Sequence, residues 1–570
     1  MSISGSGHTL ASLSILDVAV IAIYFFAVIA VGFVLKERMR TSEDFFLAGR
    51  GMTAWVAGLS FLAANMGALE LMGWAASAYQ YGLLAAHWYW IGAVPAMIFL
   101  ALIMMPFYYI SKTHSVPGYL KLRYGEPTRA LSSLSFAGMT TLMSGINMFA
   151  MAKVMQVVLG WDLNFSIWAA SLTVAVYVTL GGLTSAILNE VLQFFLIWLG
   201  ALVIPILGLM ECGGWQGLRE RILANSSLPS GFLHLWTSTN HFASNPMGVH
   251  WTGIVFGLGF VGALGYWTTD FLVIQRVIAA KDLRAAQIAP IIGAAFKLFV
   301  PLIVILPGLI GVAVLRGENG GLGLVSEAAA GANQHTYNEV LPLLLVRYAG
   351  PGLLGLGITA LVAGFMSGMA GNVSAFATVW TYDIYRPLLR PHAGDAHYVT
   401  IGRWSTVLGI LASVGTAYAA MHFSSIMDYV QALFSFFVTP LFGTVILGML
   451  WKRATPAGGF WGLLVGMGSS LGMWFWVHER PSALAKIALS ADAKPMAENL
   501  YRMLWSWLAC VIVTVVISGL TRPKPETELA GLVYGCTKLP EEHAFPLVQR
   551  PAFWGAAVFF VFLYLQWIFR

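Results

Sequence analysis

The sequence predicts an all-α polytopic membrane protein with about 14 spanning helices. Three observations predict it. The 570 residues are 58% hydrophobic and only 10% charged, whereas a soluble domain carries about 25% charged residues. Mean hydropathy is +0.76. Apolar runs of about 20 residues recur along the whole chain, and a bilayer core of about 30 Å needs roughly that much helix. Such a chain cannot cover itself with a water-compatible surface. That excludes a soluble enzyme, a disordered chain and a nucleic-acid binder.

The runs fall at 14–35, 53–80, 84–111, 130–160, 164–181, 186–210, 251–275, 286–315, 351–385, 399–421, 425–451, 456–477, 498–520 and 551–569. They are called spans 1 to 14 below. The linkers after spans 1, 3, 7, 9, 11 and 13 hold 20 of the 31 Lys and Arg residues, and the opposite side holds nine. The positive-inside bias therefore puts those linkers in the cytoplasm and both termini outside. Loops 211–250 and 316–350, rich in Gly, Ser and Asn, read as extracellular, and 521–550 as a cytoplasmic linker. Met1–Leu13 holds no Lys or Arg, so no cleaved signal peptide is expected. Cys212, Cys510 and Cys536 are too few and too far apart for a disulfide framework or a zinc motif.

Lipid-facing helices should be apolar and unbroken, so departures mark function. Span 2 reads GLSFLAANMGALELMGW, with Asn65, Gly67 and Glu70 in its middle. Span 7 reads GIVFGLGFVGALGYWTTD, with Gly257, Gly259, Gly262 and Gly265 in its middle. These two spans are five apart in order. Interrupted spans at matching places in two halves point to an inverted-repeat transporter with its site at the midplane. Span 9 lines up Gly364, Ser367, Gly368, Gly371 and Ser374 about a turn apart, either a packing seam or part of an oxygen cage for a hard cation. Four charges lie within spans, Glu70, Lys153, Glu190 and Lys297, and pairing is the usual way such groups are tolerated. No nucleophile–base pair or metal cluster stands out.

TSEDFFLAGR (41–50), the AAN of Ala63–Asn65, GGLTSAILNEVLQ (181–193), YW with IQR (266–276), AAKDLRAAQ (279–287) and the TYDIY closing span 9 together resemble the sodium/solute symporter family, the sodium–glucose cotransporter type. The likeness runs from about residue 14 to 569. It implies a LeuT-like core in which spans 2–11 form two inverted five-helix repeats. The division is then 1–51 (extra helix and linker), 52–210 (first repeat), 211–250 (outer loop), 251–453 (second repeat) and 454–570 (three further helices).

The resemblance also implies site residues. Sodium, the coupling ion and only cofactor-like partner, would sit on Ala63, Met66, Gly364, Ser367 and Gly368. Glu190 matches an acid on the ion exit path. Lys297, Gln431 and Asn65 match sugar contacts, and Tyr266, beside Trp267, matches an aromatic inner gate. Departures are visible. Gly368 stands where family members using sodium carry a second hydroxyl. Tyr89 and Gly92 stand where a sugar-binding acid and a Ser are found. Ala263 replaces an Asn, Glu70 replaces a Gln, and Lys153 has no counterpart.

The expected function is sodium-driven uptake of a small polar solute, a sugar first, across a plasma membrane (a bacterial inner membrane foremost), with lipid as surroundings and no nucleic-acid partner. Two alternatives stand beside it. One is a proton-coupled or sodium-independent carrier of a sugar acid, carboxylate or amino acid, with Glu70, Glu190 or Lys153 as the titrating group. The other is a substrate sensor built on a transporter scaffold.

Overall fold

The structure is a computed structural model that describes residues 13–36, 41–225, 228–229, 231–316, 322–325, 334–420, 426–539 and 546–570. Arg38 and Arg40 of the first basic linker, and parts of loops 211–250, 316–350 and 521–550, lie outside the described residues. Among those described, ten helices are long and apolar enough to cross a membrane, and the bent pair of span 7 makes eleven. Ala68–Ile110 counts once there but carries the outer half of span 2 and all of span 3, parted where Gly82 takes φ +70°. Spans 5 and 6 run together over Leu163–Ala201 and are parted at Gly182 (φ 53°, ψ −150°). Span 10 is Asp395–Ala420. The fourteen expected spans are thus accounted for.

Local chemistry explains the turns. A Cβ on Gly182 would stand 2.7 Å from the Phe45 carbonyl, so only glycine lets the linker helix Ser42–Leu47 lie against this corner. That short helix begins with a capping box in which Thr41 and Asp44 satisfy each other's backbone N–H. Phe45 and Phe46 are buried beneath it.

Span 2 is broken. Its first half, Ala54–Asn65, ends at Met66 (φ −87°, ψ 56°), and its second half, Ala68–Tyr81, starts after Gly67. Span 7 is broken too, but not at its glycines. Gly253–Ala263 is a π-helix in which Gly257 admits the Leu500 carbonyl of span 13 (2.4 Å from a built Cβ). The break comes later, between Thr269 and Phe271, where the axis turns by 51° and Asp270 caps the second half, Phe271–Ile278. Those glycines serve packing, and the expectation that they interrupt the helix is corrected. Span 8 also has a joint. Leu283–Lys297 ends before Pro301 opens the next helix, and the proline has no N–H to return to Lys297.

Both halves of span 2 pack on span 8, and span 7 packs on span 3 in the corresponding place of the other repeat. The first and last spans end on one face. Asp17 Oδ1 accepts the Gly352 and Gly355 N–H groups at the head of span 9 (2.8 and 2.6 Å), and the Leu235 N–H donates to the Phe569 carbonyl (2.8 Å). The basic linkers gather on the other face, where Met52 exchanges two backbone bonds with Ala279 and Lys281 and Lys524 Nζ donates to the Leu122 carbonyl.

Span 8 crosses span 2 through Gly308, whose built Cβ meets the Ala75 carbonyl at 2.4 Å. Gly308→Val should therefore lower stability by about 1–3 kcal/mol through overpacking. Gly415→Val, at a position with open space around it, should cost far less. Thermal ramps of the detergent-solubilised protein, read by size exclusion, compare the two; equal melting points would refute the crossing geometry.

Candidate functional site

A broken helix exposes carbonyls on one side of the break and N–H groups on the other, and the bilayer core offers no water to satisfy them. In span 2 the N–H side is met by a side chain from span 4. Asn147 Oδ1 accepts the Leu69 N–H (3.2 Å), while its Nδ2 donates to the Phe365 carbonyl of span 9 (3.2 Å). The carbonyl side is left facing span 9. A Cβ on Gly364 would lie 2.9 Å from the Met66 oxygen, so that carbonyl points straight at the glycine. Ala63 accepts the Met66 N–H at 2.9 Å. Ser367 Oγ, on a residue with no exposed surface, has no hydrogen-bond partner. An orphaned hydroxyl and a carbonyl turned toward the same helix are donors suited to a hard monovalent cation.

The departure at Gly368 acquires a reason here. Its built Cβ stands 3.1 Å from Asn147 Nδ2 and 3.2 Å from the Gly67 Cα, so the Asn147 amide fills the room a second hydroxyl residue would need. Asn147 was not foreseen. Its only signal was an amide in the middle of an apolar span.

Beside the break, and reaching Gly67 and Gly368, lies a cavity of about 100 Å³ between spans 2, 3, 4, 7, 8, 9 and 11. Every residue lining it is buried or half-buried. Asn65, Glu70, Tyr266, Trp267, Lys297 and Gln431 all line it. Lys297 Nζ donates to Asn65 Oδ1 and to Glu70 Oε1 (3.0 Å). Asn65 Nδ2 donates to the Tyr266 hydroxyl (2.9 Å), and Trp74 Nε1 donates to Glu70 Oε2 (3.1 Å). Tyr89 sits one layer back, its ring centre 4.9 Å from Lys297 Nζ, so it backs the ammonium rather than forming the wall. Two further departures, Gly92 and Ala263, line the cavity. Gln431 is 2% exposed and its amide makes no hydrogen bond within the described chain. The arrangement offers an amide, an ammonium and a carboxylate at one level and aromatic faces around them, which suits a small solute with several hydroxyls.

Tyr266 forms part of the cavity wall. Its ring stacks on Phe434 at 5.0 Å, and Trp267 donates to the Gly92 carbonyl (3.0 Å). Below it, Glu190 is not solvated at the inner end. It has no exposed surface and holds Arg276 through two bonds (2.6 and 3.2 Å), while Ser60 donates to the same carboxylate. One carboxylate thereby ties span 6 to the inner halves of spans 2 and 7. Lys153 pairs with an acid outside the spans. Its Nζ lies 3.5 Å from Glu339 Oε1, and His335 Nδ1 lies 2.5 Å from Glu339 Oε2.

A family profile described as the sodium:solute symporter family matches residues 45–466. The chain belongs to the sodium:solute symporter family. A sodium/glucose cotransporter 4 of Danio rerio is 29% identical over 544 residues, 92% of this chain and 82% of that one. A sodium/mannose cotransporter of Bos taurus is 30% identical over 471 residues, 80% and 78% of the two chains. A solved sodium-coupled sialic acid symporter, substrate-bound and outward-open, matches with a TM-score of 0.72 at 21% identity, over 90% of this chain and 99% of that one. The shared fold is the LeuT-like architecture expected above, and the chain is a membrane transporter of this family, not an enzyme.

Two outcomes follow from the ion pairs. Glu190→Gln strands the Arg276 charge without water and should cost about 3–5 kcal/mol; adding Arg276→Gln should recover most of it, and a melting series in which the double variant is no better than the single one would sink the pairing. The hydrogen bond to Glu339 holds the His335 imidazolium above its usual value. That contribution is full below the ordinary imidazole range and is lost as pH rises through the raised one. Amide exchange at 334–340, corrected for its intrinsic rate, should therefore quicken with rising pH across that window and lose this dependence in His335→Ala.

Proposed function

We propose that the protein couples inward sodium movement to uptake of a small polar solute, a sugar first, by alternating access. Sodium is held by the carbonyls of Ala63, Met66 and Gly364 and by Ser367, with Gly368 leaving room for Asn147. Lys297, Asn65, Glu70 and Gln431 bond the hydroxyls of the solute, with Tyr89 behind them. Tyr266 and Trp267 gate the inner side, and Glu190 lies on the ion's way inward. The relatives described as sodium/glucose and sodium/mannose cotransporters support the class of substrate.

The observation that carries this reading is the continuity of span 2. Ala63 and Asn65 lie in the last turn before the break, Met66 lies in it, and Glu70 lies in the first turn after it. A cation that fixes the break also fixes two of the groups facing the solute. One charge crossing a 100 mV potential releases about 2.3 kcal/mol, enough for roughly a 50-fold gradient of neutral solute. Alternating access then moves the two repeats (52–210 and 251–453) against each other, with 1–51 and 454–570 as flanking helices.

Proteoliposome uptake of hexoses, sialic acid, proline and pantothenate, with and without a sodium gradient, tests the reading. Sodium-dependent uptake of a hexose, abolished by Lys297→Ala or Gln431→Ala, is expected. Ser367→Ala should raise half-saturating sodium about tenfold or more, the effect of losing one hydroxyl ligand. Uptake of amino acids alone would falsify the sugar assignment.

The bias of Lys and Arg further supports a plasma-membrane protein with both termini outside. With the native cysteines replaced, Arg570→Cys should react with an impermeant maleimide on intact cells, and Arg522→Cys only after permeabilisation. The reverse pattern would invert the topology.

A further inference from the structure

Among the described residues, four buried or half-buried carboxylates are neutralised by a base, and three buried ones, Asp17, Asp270 and Asp383, are not. Glu70 holds Lys297, Glu190 holds Arg276, Glu339 holds Lys153 and Glu498 holds Arg502. Of the unpaired three, Asp270 sits in the break of span 7, is 5% exposed and lines the central cavity. Among the described residues its carboxylate accepts one hydrogen bond, from the Leu272 N–H to Oδ1 (2.9 Å), and no base stands within ion-pair distance. The other face of the residue borders a second void of about 10 Å³, the room of about one water, whose walls include Ser135, Met139 and Val438.

The countercharge that acts on Asp270, Arg276, is engaged elsewhere. On its own span, Arg276 is spent on Glu190, the Leu272 carbonyl and Gln275, and the Tyr266 hydroxyl is taken by Asn65. Across the cavity, spans 2 and 8 contribute only the closed Glu70–Lys297 pair. Spans 4, 9 and 11 contribute the neutral amides Asn147, Asn372 and Gln431. With Asp270 ionised the cavity wall carries one net negative charge; with Asp270 protonated it carries none. An unpaired carboxylate in a dry site takes up a proton rather than stay charged. The helix N-terminus it caps favours the ion, but a single N–H bond and a two-turn helix are a weak replacement for water.

We propose that Asp270 is a proton-binding site of the transport cavity. A proton from bulk water bonds to the free carboxylate oxygen as the cavity closes and returns to water when it opens. This rests on the reading of the cavity as the transport site. It also reassigns the titrating group of a proton-coupled mechanism, because Glu70, Glu190 and Lys153 are each committed to an ion pair. Asp270 and the cation at the span 2 break face the same cavity, so loss of the carboxylate charge weakens the hold on sodium.

Infrared difference spectroscopy of the purified full chain in sodium-free buffer, titrated from about pH 5 to 8, reads the proton directly. The expected result is a protonated carboxyl band persisting well above the ordinary carboxylate range and lost in Asp270→Asn. Asn keeps the cap on Leu272; if it fails to fold, Asp270→Ser, another capping residue, replaces it. A band that survives Asp270→Asn, or that disappears instead in Asp383→Asn or Asp17→Asn, the other buried carboxylates without an ion pair among the described residues, overturns the proposal. So does a carboxylate ionised throughout whose band shifts on adding sodium. Sodium alone is the second probe. The half-saturating concentration for the change in tryptophan fluorescence should rise as pH falls, and Asp270→Asn should flatten that dependence; an unchanged dependence counts against the proposal. A wild type with no sodium response defeats the sodium reading, and the infrared titration still decides Asp270 by itself.

Discussion

Peptide groups without water are the constraint around which this molecule is arranged. Each of the two broken spans leaves a set of N–H groups and a set of carbonyls in a place where only protein can meet them. The two breaks meet the N–H side with side chains, Asn147 for span 2 and Asp270 for span 7. At span 2 the carbonyl side is instead turned toward Gly364 and the unbonded Ser367 hydroxyl. The Met66 carbonyl and the Ser367 hydroxyl together are a donor set suited to a cation. Glycine in span 9 is needed for the same reason: a side chain at 364 would displace the Met66 carbonyl.

The ion pairs form a second layer of the same logic. Glu190–Arg276, Glu70–Lys297 and Lys153–Glu339 each join the first repeat to the second, at three levels along the helices. Buried pairs contribute little net stability, because desolvation offsets most of the attraction. They are, however, directional, and breaking one is expensive. Three such ties fix the register of two bodies that must slide past each other. They also account for the intramembrane charge within the wall, which leaves Asp270 conspicuous.

Much of this could be read before any coordinates. Charge scarcity and run length gave the spans, and the Asn65–Gly67–Glu70 cluster gave the first break, because polar residues inside a bilayer are rare enough to carry information individually. The second break was misplaced. The glycines at 257–265 looked like the interruption, but glycine signals close approach as readily as a broken helix, and here Leu500 and Met503 of span 13 lie against them. Asp270, at the end of the quoted segment, was the better marker. Lys153 and Glu190 could be recognised as paired, but not with whom, since their partners lie 186 and 86 residues away and only packing brings them together. Asn147 was invisible for a similar reason: a single amide gives no hint of the break it spans.

The helices after the core have a structural part that a sequence reading assigns to no site. Span 11 contains a π-helical turn, Phe434–Val438, which frees backbone groups within the membrane. Span 13 occupies them. Ser506 donates to the Ser435 carbonyl, Arg502 Nε donates to the Ser435 hydroxyl (2.9 Å), and Ser470 of span 12 donates to that hydroxyl as well. Arg502, which charge counting places at the outer surface, has no exposed surface and is held by Glu498 and Asn499. Gln431 and Phe434, on the cavity side of the same turn, are therefore set from behind by helices outside the repeats. A π-turn gripped on one side is a fixed bend, and a fixed bend in span 11 keeps Phe434 stacked on Tyr266 and Gln431 on the cavity wall. The added helices thus do for span 11 what the two breaks do for spans 2 and 7: they turn an irregular backbone into a defined position for a side chain.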